Sequence, residues 1–325
     1  MLRSDKRDFM QSDVIVQTLF RLLARLPLPW LHRIGGWAGW ITYAASPTYR
    51  RRLRQNLFNA LGREDERLLR AAIAETGRQF IEIAWVWLRP VEEVMGKVRV
   101  DGWGLVEAAQ DEGAGLLFIT PHLGCFEINA QYIATRAPIT VLFRPPRKSV
   151  LAPLMEEGRN RPQLRAAPAD LSGVRQLVKT LRGRGAVGML PDQVPGAGEG
   201  VWAPFFGRPA WTMTLAARLA EVKGVRTIYC WVERLPRGEG FVMRLSAPTL
   251  VLEGSLEARC ALINREVERL IMLRPEQYLW GYNRYKQPRS TRAGEAGGGG
   301  KGDDPAAADA AAGGRGAEGG SGANA

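Results

Sequence analysis

The sequence predicts an α/β protein whose central sheet is mainly parallel and is covered by helices on both faces. Short apolar runs typical of strands alternate with helical segments through the middle of the chain, which is the pattern of a parallel sheet. The run at residues 115–120 is almost wholly apolar, as expected of a buried strand. Pro121 ends this strand, because proline cannot donate to a central ladder.

For the N-terminal segment, residues 1–55, the sequence predicts helices that associate with a membrane surface. Residues 14–45 are apolar, but arginines interrupt them and two prolines break them. Their longest uncharged run, residues 34–49, is shorter than the roughly 20 apolar residues of a spanning helix. We therefore expect an interfacial or shallowly inserted helical hairpin. The basic cluster at residues 50–54 suits an anionic leaflet, although a helix packed on the domain is the alternative.

The remaining elements divide into an α/β domain, residues 56–287, and a tail. Two helices are predicted first, at residues 66–79 and 80–88. Strands are then predicted at residues 115–120, 139–143, 186–190, 226–233 and 241–246, with antiparallel pairing allowed for the last ones. Helices are predicted at residues 125–135, 150–159, 173–183, 211–223 and 256–273. The tail, residues 288–325, is rich in glycine and alanine and is expected to be disordered.

Composition narrows the partners and the compartment. The net charge of +12 and the pI of about 10.1 favour anionic partners, namely nucleic acid, anionic lipid headgroups or an acidic carrier protein. No zinc-finger, RNA-recognition or basic-zipper pattern is present, so nucleic acid is not expected. The three cysteines are far apart and form no Cys-x-x-Cys motif, which favours a reducing, cytosol-facing location.

Several common chemistries lack their motifs. The sequence has no Gly-x-Ser-x-Gly, no His-Glu-x-x-His, no P-loop and no dinucleotide-binding fingerprint. It therefore predicts no cofactor and no metal, and the remaining candidate is base catalysis by a histidine.

His122 is the candidate base, because it follows the strand at residues 115–120, at the edge where open α/β sheets bind ligands. Glu127 lies five residues on. Within one regular helix the two side chains would be about 140° apart, so they meet only if His122 lies on the preceding turn, which Gly124 permits. A carboxylate on one imidazole nitrogen fixes the tautomer and leaves the other as a base. Asp192 follows residues 186–190 and is expected at the same edge.

This His-x4-Glu motif resembles the signature of the glycerolipid and lysophospholipid acyltransferase superfamily, and most closely the lipid A late acyltransferases. Four blocks in order carry the resemblance, which extends over residues 14–287. They are Thr-Pro-His-Leu-Gly-Cys-Phe-Glu at 120–127, Gly-Arg-Asn-Arg at 158–161, Leu-Pro-Asp-Gln at 190–193, and the segment 275–286. The last block often has a histidine two residues after its tryptophan in this family, and here Tyr282 takes that place.

The resemblance implies a fatty acyl transfer from acyl carrier protein to a hydroxyl of a phosphorylated glycolipid, the lipid A precursor. It places the enzyme at the cytoplasmic face of the inner membrane. We expect His122 to remove the hydroxyl proton, Glu127 to orient His122, and an arginine or backbone amides to stabilise the oxyanion, without an acyl-enzyme. The predicted catalytic residues are His122, Glu127, Arg159 and Asp192. The predicted substrate-binding residues are Arg144, Arg147, Arg161, Gln193 and Arg284.

Two other functions are compatible with the residues. The same chemistry can serve another acceptor, such as a lysophospholipid, an aminolipid or a glycolipid, and coenzyme A can replace acyl carrier protein as donor. Alternatively, the protein is a basic, membrane-bound lipid-binding protein in which His122 is incidental. An intact pair of His122 and Glu127 favours an enzyme.

Overall fold

The computed structural model describes residues 2–143 and 150–288. The strands of this part of the chain are β1 (Val98–Asp101), β2 (Gly115–Ile119), β3 (Ile139–Phe143), β4 (Leu164–Pro168), β5 (Ala186–Met189), β6 (Gly200–Phe205), β7 (Arg208–Met213), β8 (Val225–Arg234) and β9 (Phe241–Ser246). Its α-helices are α1 (Leu2–Ala24), α2 (Leu28–Ala45), α3 (Pro47–Leu61), α4 (Glu66–Leu88), α5 (Val91–Met95), α6 (Gly104–Asp111), α7 (Glu127–Ala134), α8 (Ala152–Arg159), α9 (Leu171–Arg182), α10 (Leu215–Ala220) and α11 (Leu256–Ile271).

The main sheet is mostly parallel, which confirms the predicted class. Its seven strands run in the order β1-β9-β8-β2-β5-β3-β4, and only β8 and β9 pair antiparallel. Every residue of β2 is buried, as its apolar sequence predicts. Two buried clusters lie against the sheet, one with β2, α9 and α11 and the other with β2, α4 and α7. The sheet is therefore covered by helices.

Each predicted strand is present within one residue of its predicted ends, but four strands were missed. These are the edge strands β1 and β4 and the hairpin of β6 and β7. The edge strands are partly exposed and carry charged residues, so they lack a continuous apolar run. The helix predicted at residues 211–223 is wrong at its start, because β7 continues to Met213 and α10 begins at Leu215.

The two helices predicted at residues 66–79 and 80–88 are one continuous helix, α4. It begins after Asp65, whose carboxylate accepts a hydrogen bond from the backbone N–H of Leu68 at 2.9 Å. No proline lies within residues 66–88, so nothing in the sequence ends the helix at Gln79. Its first half packs in one core cluster and its second half in the other.

Helix α2 packs on α4 through glycines. A Cβ atom on Gly39 would lie 2.2 Å from the carbonyl oxygen of Ile73, and one on Gly77 would lie 2.0 Å from that of Gly35. The backbones of α2 and α4 therefore touch directly. Among the described residues, no helix is both long and apolar enough to cross a bilayer. The domain boundaries at residues 55 and 287 stay predictions, and the tail from residue 289 lies outside the described residues.

A buried ion cluster links this helical layer to the sheet. The guanidinium of Arg234, on β8, binds both carboxylate oxygens of Glu82 and reaches Glu75 at 2.6 Å. His32, on α2, lies 3.1 Å from the Glu82 carboxylate. Burial raises the pKa of Glu82, but the charge and hydrogen bonds of Arg234, with help from His32, outweigh it and lower the pKa to about 2.

This cluster predicts a specific loss of stability in acid. A carboxyl with a folded pKa of about 2 and an unfolded pKa near 4.3 stabilises the fold above the unfolded value and loses that contribution as pH falls toward 2. Glu82→Gln removes the titrating group. As pH is lowered from 5.5 to 3, the free energy of unfolding of this variant should therefore fall less than that of the wild type. Urea denaturation at several pH values measures the difference, with the exposed Glu253→Gln as matched control. Parallel pH curves for wild type and Glu82→Gln would contradict the prediction.

Candidate functional site

The turn after β2 presents His122 at the carboxyl edge of the sheet. Backbone hydrogen bonds fix this turn from both sides, since Gly124 N–H donates to the carbonyl of Gln277 at 3.0 Å and Cys125 N–H donates to that of Val232 at 2.9 Å. Gly124 has a φ of +61°, and a Cβ atom there would lie 1.8 Å from the Val232 oxygen. Only glycine fits, so the sequence expectation for this turn is confirmed.

Asp192 holds His122 by two hydrogen bonds. Its Oδ2 accepts from the His122 backbone N–H at 2.9 Å, and its Oδ1 lies 2.7 Å from Nδ1 of the ring. The carboxylate is buried, and although burial raises the pKa of Asp192, the charge and hydrogen bonds of His122 outweigh it, so that the pKa is lowered. The expectation that Asp192 lies beside His122 is confirmed.

The partner of Glu127 differs from the prediction. Its Oε2 accepts from the indole N–H of Trp87 at 2.9 Å and from Nε of Arg159 at 3.1 Å, and its Oε1 binds the Arg159 guanidinium. The hydrogen bonds of the His122 ring go to Asp192 and Gln193 instead. Glu127 begins α7 after the turn has changed direction, which aims its carboxylate at α4 and α8. The predicted orienting role of Glu127 is therefore corrected in favour of Asp192.

Arg159 ends α8 and lies between two aromatic rings. Its guanidinium carbon is 5.9 Å from the ring centre of Trp87 and 5.3 Å from that of Phe143. About 31% of its side chain is exposed, whereas the Glu127 side chain is 8% exposed. The pair thus keeps one cation fixed beside the His122 turn with part of its surface open to a ligand.

Nε2 of His122 faces the amide of Gln193, whose Nε2 lies 3.1 Å away. The His122 side chain is only 12% exposed, and Nε2 is the ring nitrogen that Asp192 leaves unoccupied. Gln193 was predicted as substrate-binding, and the structure places its amide at Nε2 of His122.

Of the other predicted substrate-binding residues, two are outside the described residues and two make no described hydrogen bond to His122. Arg144 and Arg147 fall in the undescribed segment 144–149. Arg161 follows α8, and its Nε and Nη2 atoms are buried without a hydrogen-bond partner in the described residues. Arg284 is buried, and its guanidinium donates to the carbonyl of Trp211 at 2.7 Å and to the Thr212 hydroxyl at 2.8 Å, so it anchors β7 inside the protein.

Two contributors to the site were missed from the sequence. Trp87 lies in an apolar helical run that gives no sign of its indole bond to Glu127. Tyr282, in the place where the resembled family often has histidine, accepts a hydrogen bond at its hydroxyl from Val194 N–H at 2.9 Å. It therefore anchors the turn that carries Asp192. Within residues 2–143 and 150–288, no three His, Cys, Asp or Glu side chains form a metal-binding group.

The chain is similar to known proteins of lipid A biosynthesis. A lipid A biosynthesis lauroyltransferase of Escherichia coli (strain K12) is 24% identical over 271 residues, which are 82% of this chain and 88% of that protein. A palmitoleoyltransferase of the same pathway and organism is 25% identical over 224 residues, 69% of this chain and 70% of that protein. A lipid A biosynthesis acyltransferase of Haemophilus influenzae is 23% identical and covers 80% of this chain and 82% of its own length.

A family model described as bacterial lipid A biosynthesis acyltransferase matches residues 8–287. That match includes the His122 turn and all the contacts to it described above. The chain therefore belongs to the bacterial lipid A biosynthesis acyltransferase family.

Proposed function

We propose that this protein transfers a fatty acyl group from acyl carrier protein to a hydroxyl of a lipid A precursor. The observation that carries the proposal is the pairing of a strand-end histidine with a buried carboxylate. Asp192 holds Nδ1 of His122 at 2.7 Å, which leaves Nε2 as the proton acceptor. Membership of the lipid A acyltransferase family supplies the class of reaction and of acceptor.

In the proposed reaction, Nε2 of His122 takes the proton of the acceptor hydroxyl while the hydroxyl oxygen attacks the carbonyl carbon of the thioester. Asp192 stabilises the imidazolium by its charge and by the bond to Nδ1–H. The tetrahedral oxyanion then collapses, the C–S bond breaks, and the thiolate leaves with the proton from the imidazolium. No acyl-enzyme forms, because the hydroxyl attacks the donor directly.

The oxyanion needs a donor, and Arg159 is the cation that suits it best. Glu127 and the rings of Trp87 and Phe143 fix its guanidinium, so it is preorganised rather than ordered by the substrate. Backbone amides after the Gly124 turn are a second source of donors. In this scheme Glu127 acts on Arg159, whereas Asp192 acts on His122.

The donor and acceptor proposals rest on charge. The chain carries a net charge of +12, which attracts both an acidic carrier protein and a phosphorylated glycolipid. The Arg161 guanidinium has no described hydrogen-bond partner, and it is a candidate contact for a phosphate of either substrate.

We further propose that the protein works at the cytoplasmic face of the inner membrane, with α1 and α2 at the lipid surface. Both helices expose large apolar side chains, including Ile15 (66% exposed) on α1 and Trp37 (74%) and Ile41 (66%) on α2. Exposed arginines at 50 and 51 lie in the first turns of α3. Apolar and aromatic side chains beside basic ones are typical of helices that lie in a membrane interface.

The first experiment tests the reaction itself. Purified protein in detergent is incubated with a tetra-acylated lipid A precursor and a panel of acyl-carrier-protein thioesters, and products are read by mass spectrometry. We expect one added acyl mass, formed about 10²–10⁴-fold more slowly by His122→Ala because the base is gone. A folded wild-type protein that acylates lysophospholipids or other hydroxylated lipids instead would overturn the lipid A acceptor, and identical rates for His122→Ala would overturn the base.

The corrected carboxylate assignment predicts a difference between two isosteric amides. Asp192→Asn should lower the transfer rate about 10²-fold or more. Glu127→Gln should lower the rate less, because the His122 ring keeps its hydrogen bond to Asp192 in that variant. The assignment fails if Glu127→Gln is as slow as Asp192→Asn.

Membrane binding is tested by flotation with vesicles that contain anionic phospholipid. The double substitution Trp37→Ser and Ile41→Ser removes exposed apolar surface from α2, and we expect at least half of the bound protein to be lost. Val251→Ser, which replaces a side chain 73% exposed on a loop after β9, is the matched control. Equal flotation of all three proteins would argue against α2 as a contact with lipid.

A further inference from the structure

The hydrogen bond between Gln193 and His122 has a defined direction. Both oxygens of Asp192 accept from His122, so Nδ1 of the ring carries the hydrogen. In the neutral imidazole Nε2 then has a lone pair and accepts. The group 3.1 Å from it must donate, and the amide NH₂ of Gln193 does so. The lone pair that is to remove the substrate proton is therefore already occupied in the free protein.

The Gln193 side chain is free to leave this position. Its hydrogen bond to His122 is the only one that the structure shows for it in the described residues. The backbone on either side is fixed, because Asp192 holds His122 and Val194 N–H donates to Tyr282 at 2.9 Å. Rotation of side-chain bonds at residue 193 can thus uncover Nε2 without moving the turn or breaking another bond.

We propose that Gln193 occupies the place of the acceptor hydroxyl at His122 and excludes water from the base until the acceptor displaces it. This inference rests on the proposed function, and it adds a second property, namely protection of the thioester from hydrolysis. A lipid hydroxyl that is anchored by the rest of a large glycolipid can replace the amide, whereas a single water molecule gains no such binding energy.

The reaction that Gln193 prevents is balanced as follows. Water would give one proton to Nε2 of His122 while its oxygen attacks the thioester carbonyl. The C–S bond would break, the thiolate would take the proton from the imidazolium, and a free fatty acid would remain. Hydrolysis would use the same base and the same oxyanion donor as acyl transfer. The two reactions therefore differ only in whether water or the acceptor hydroxyl lies at Nε2 of His122.

Among the groups around the His122 ring, Gln193 is the contact that can move. Asp192 is the charged group hydrogen-bonded to the ring, and Phe126 packs on it with ring centres 4.8 Å apart. Tyr278 and Tyr282 lie within electrostatic range of Asp192 and Arg284, and burial raises the pKa of both hydroxyls, so they are neutral near pH 7. The charges of Glu127 and Arg159 neutralise each other.

The test measures donor hydrolysis without acceptor. Purified protein is mixed with an acyl-carrier-protein thioester alone, and free fatty acid is quantified for wild type, Gln193→Ala and the exposed-surface control Gln176→Ala. We expect hydrolysis by Gln193→Ala to be at least threefold faster than by wild type and to return to background in Gln193→Ala combined with His122→Ala. A Gln193→Ala protein that melts at the wild-type temperature but hydrolyses donor no faster would overturn the proposal.

A second measurement does not depend on the donor. The chain has only two histidines, so nitrogen NMR can observe Nε2 of His122, with His122→Ala for assignment. We expect Gln193→Ala to shift this resonance at constant pH, because the donor to Nε2 is lost, whereas Gln176→Ala leaves it in place. An Nε2 resonance that does not move in Gln193→Ala would overturn the Gln193 proposal whether or not acyl transfer occurs. If the resonance moves as expected but the wild type transfers no acyl group, only the proposed function is overturned.

Discussion

The two hydrogen bonds that Asp192 accepts from His122 are the constraint on which the rest of the site depends. One fixes the backbone and the other fixes the ring, so a single carboxylate determines both where the imidazole lies and which nitrogen is basic. They exist because β2 and β5 are adjacent parallel strands whose carboxyl ends meet at the same edge. Burial alone would favour the neutral carboxylic acid of Asp192. The charge and hydrogen bonds of His122 outweigh this effect and lower the pKa of Asp192.

Charges near this edge are arranged as separate pairs. His122 and Asp192 form one, Glu127 and Arg159 a second, and behind the sheet Glu82 and Arg234 a third. In the proposed mechanism the first pair moves the proton and the second supplies the cation for the oxyanion. The third attaches the N-terminal helices to the sheet. A buried pair of this kind is costly to break and adds positional specificity.

Much of the sheet and the edge that carries the site followed from the sequence, because a buried parallel strand has a continuous apolar run and Pro121 marks its end. His122 and Asp192 could be placed together for the same reason. The partner of Glu127 could not, since spacing along the chain says nothing about the direction in which α7 leaves the turn. Trp87 and Tyr282 were missed because their single polar bonds are tertiary. The strands β1 and β4 were missed because sheet edges tolerate charged residues.

The segment 275–286 holds the His122 turn in place by hydrogen bonds. Gly124 N–H donates to Gln277, Leu279 N–H donates to the carbonyl of His122 at 3.2 Å, and the Gln277 side chain binds the backbone of Arg234 in both directions at 2.9 Å. A ribosome releases these residues long after α1 and α2. During synthesis α1 and α2 therefore leave the ribosome while the His122 turn still lacks these backbone partners. The geometry of the turn is completed only after residues 277 and 279 have been made, so α1 and α2 can pack or bind before it is.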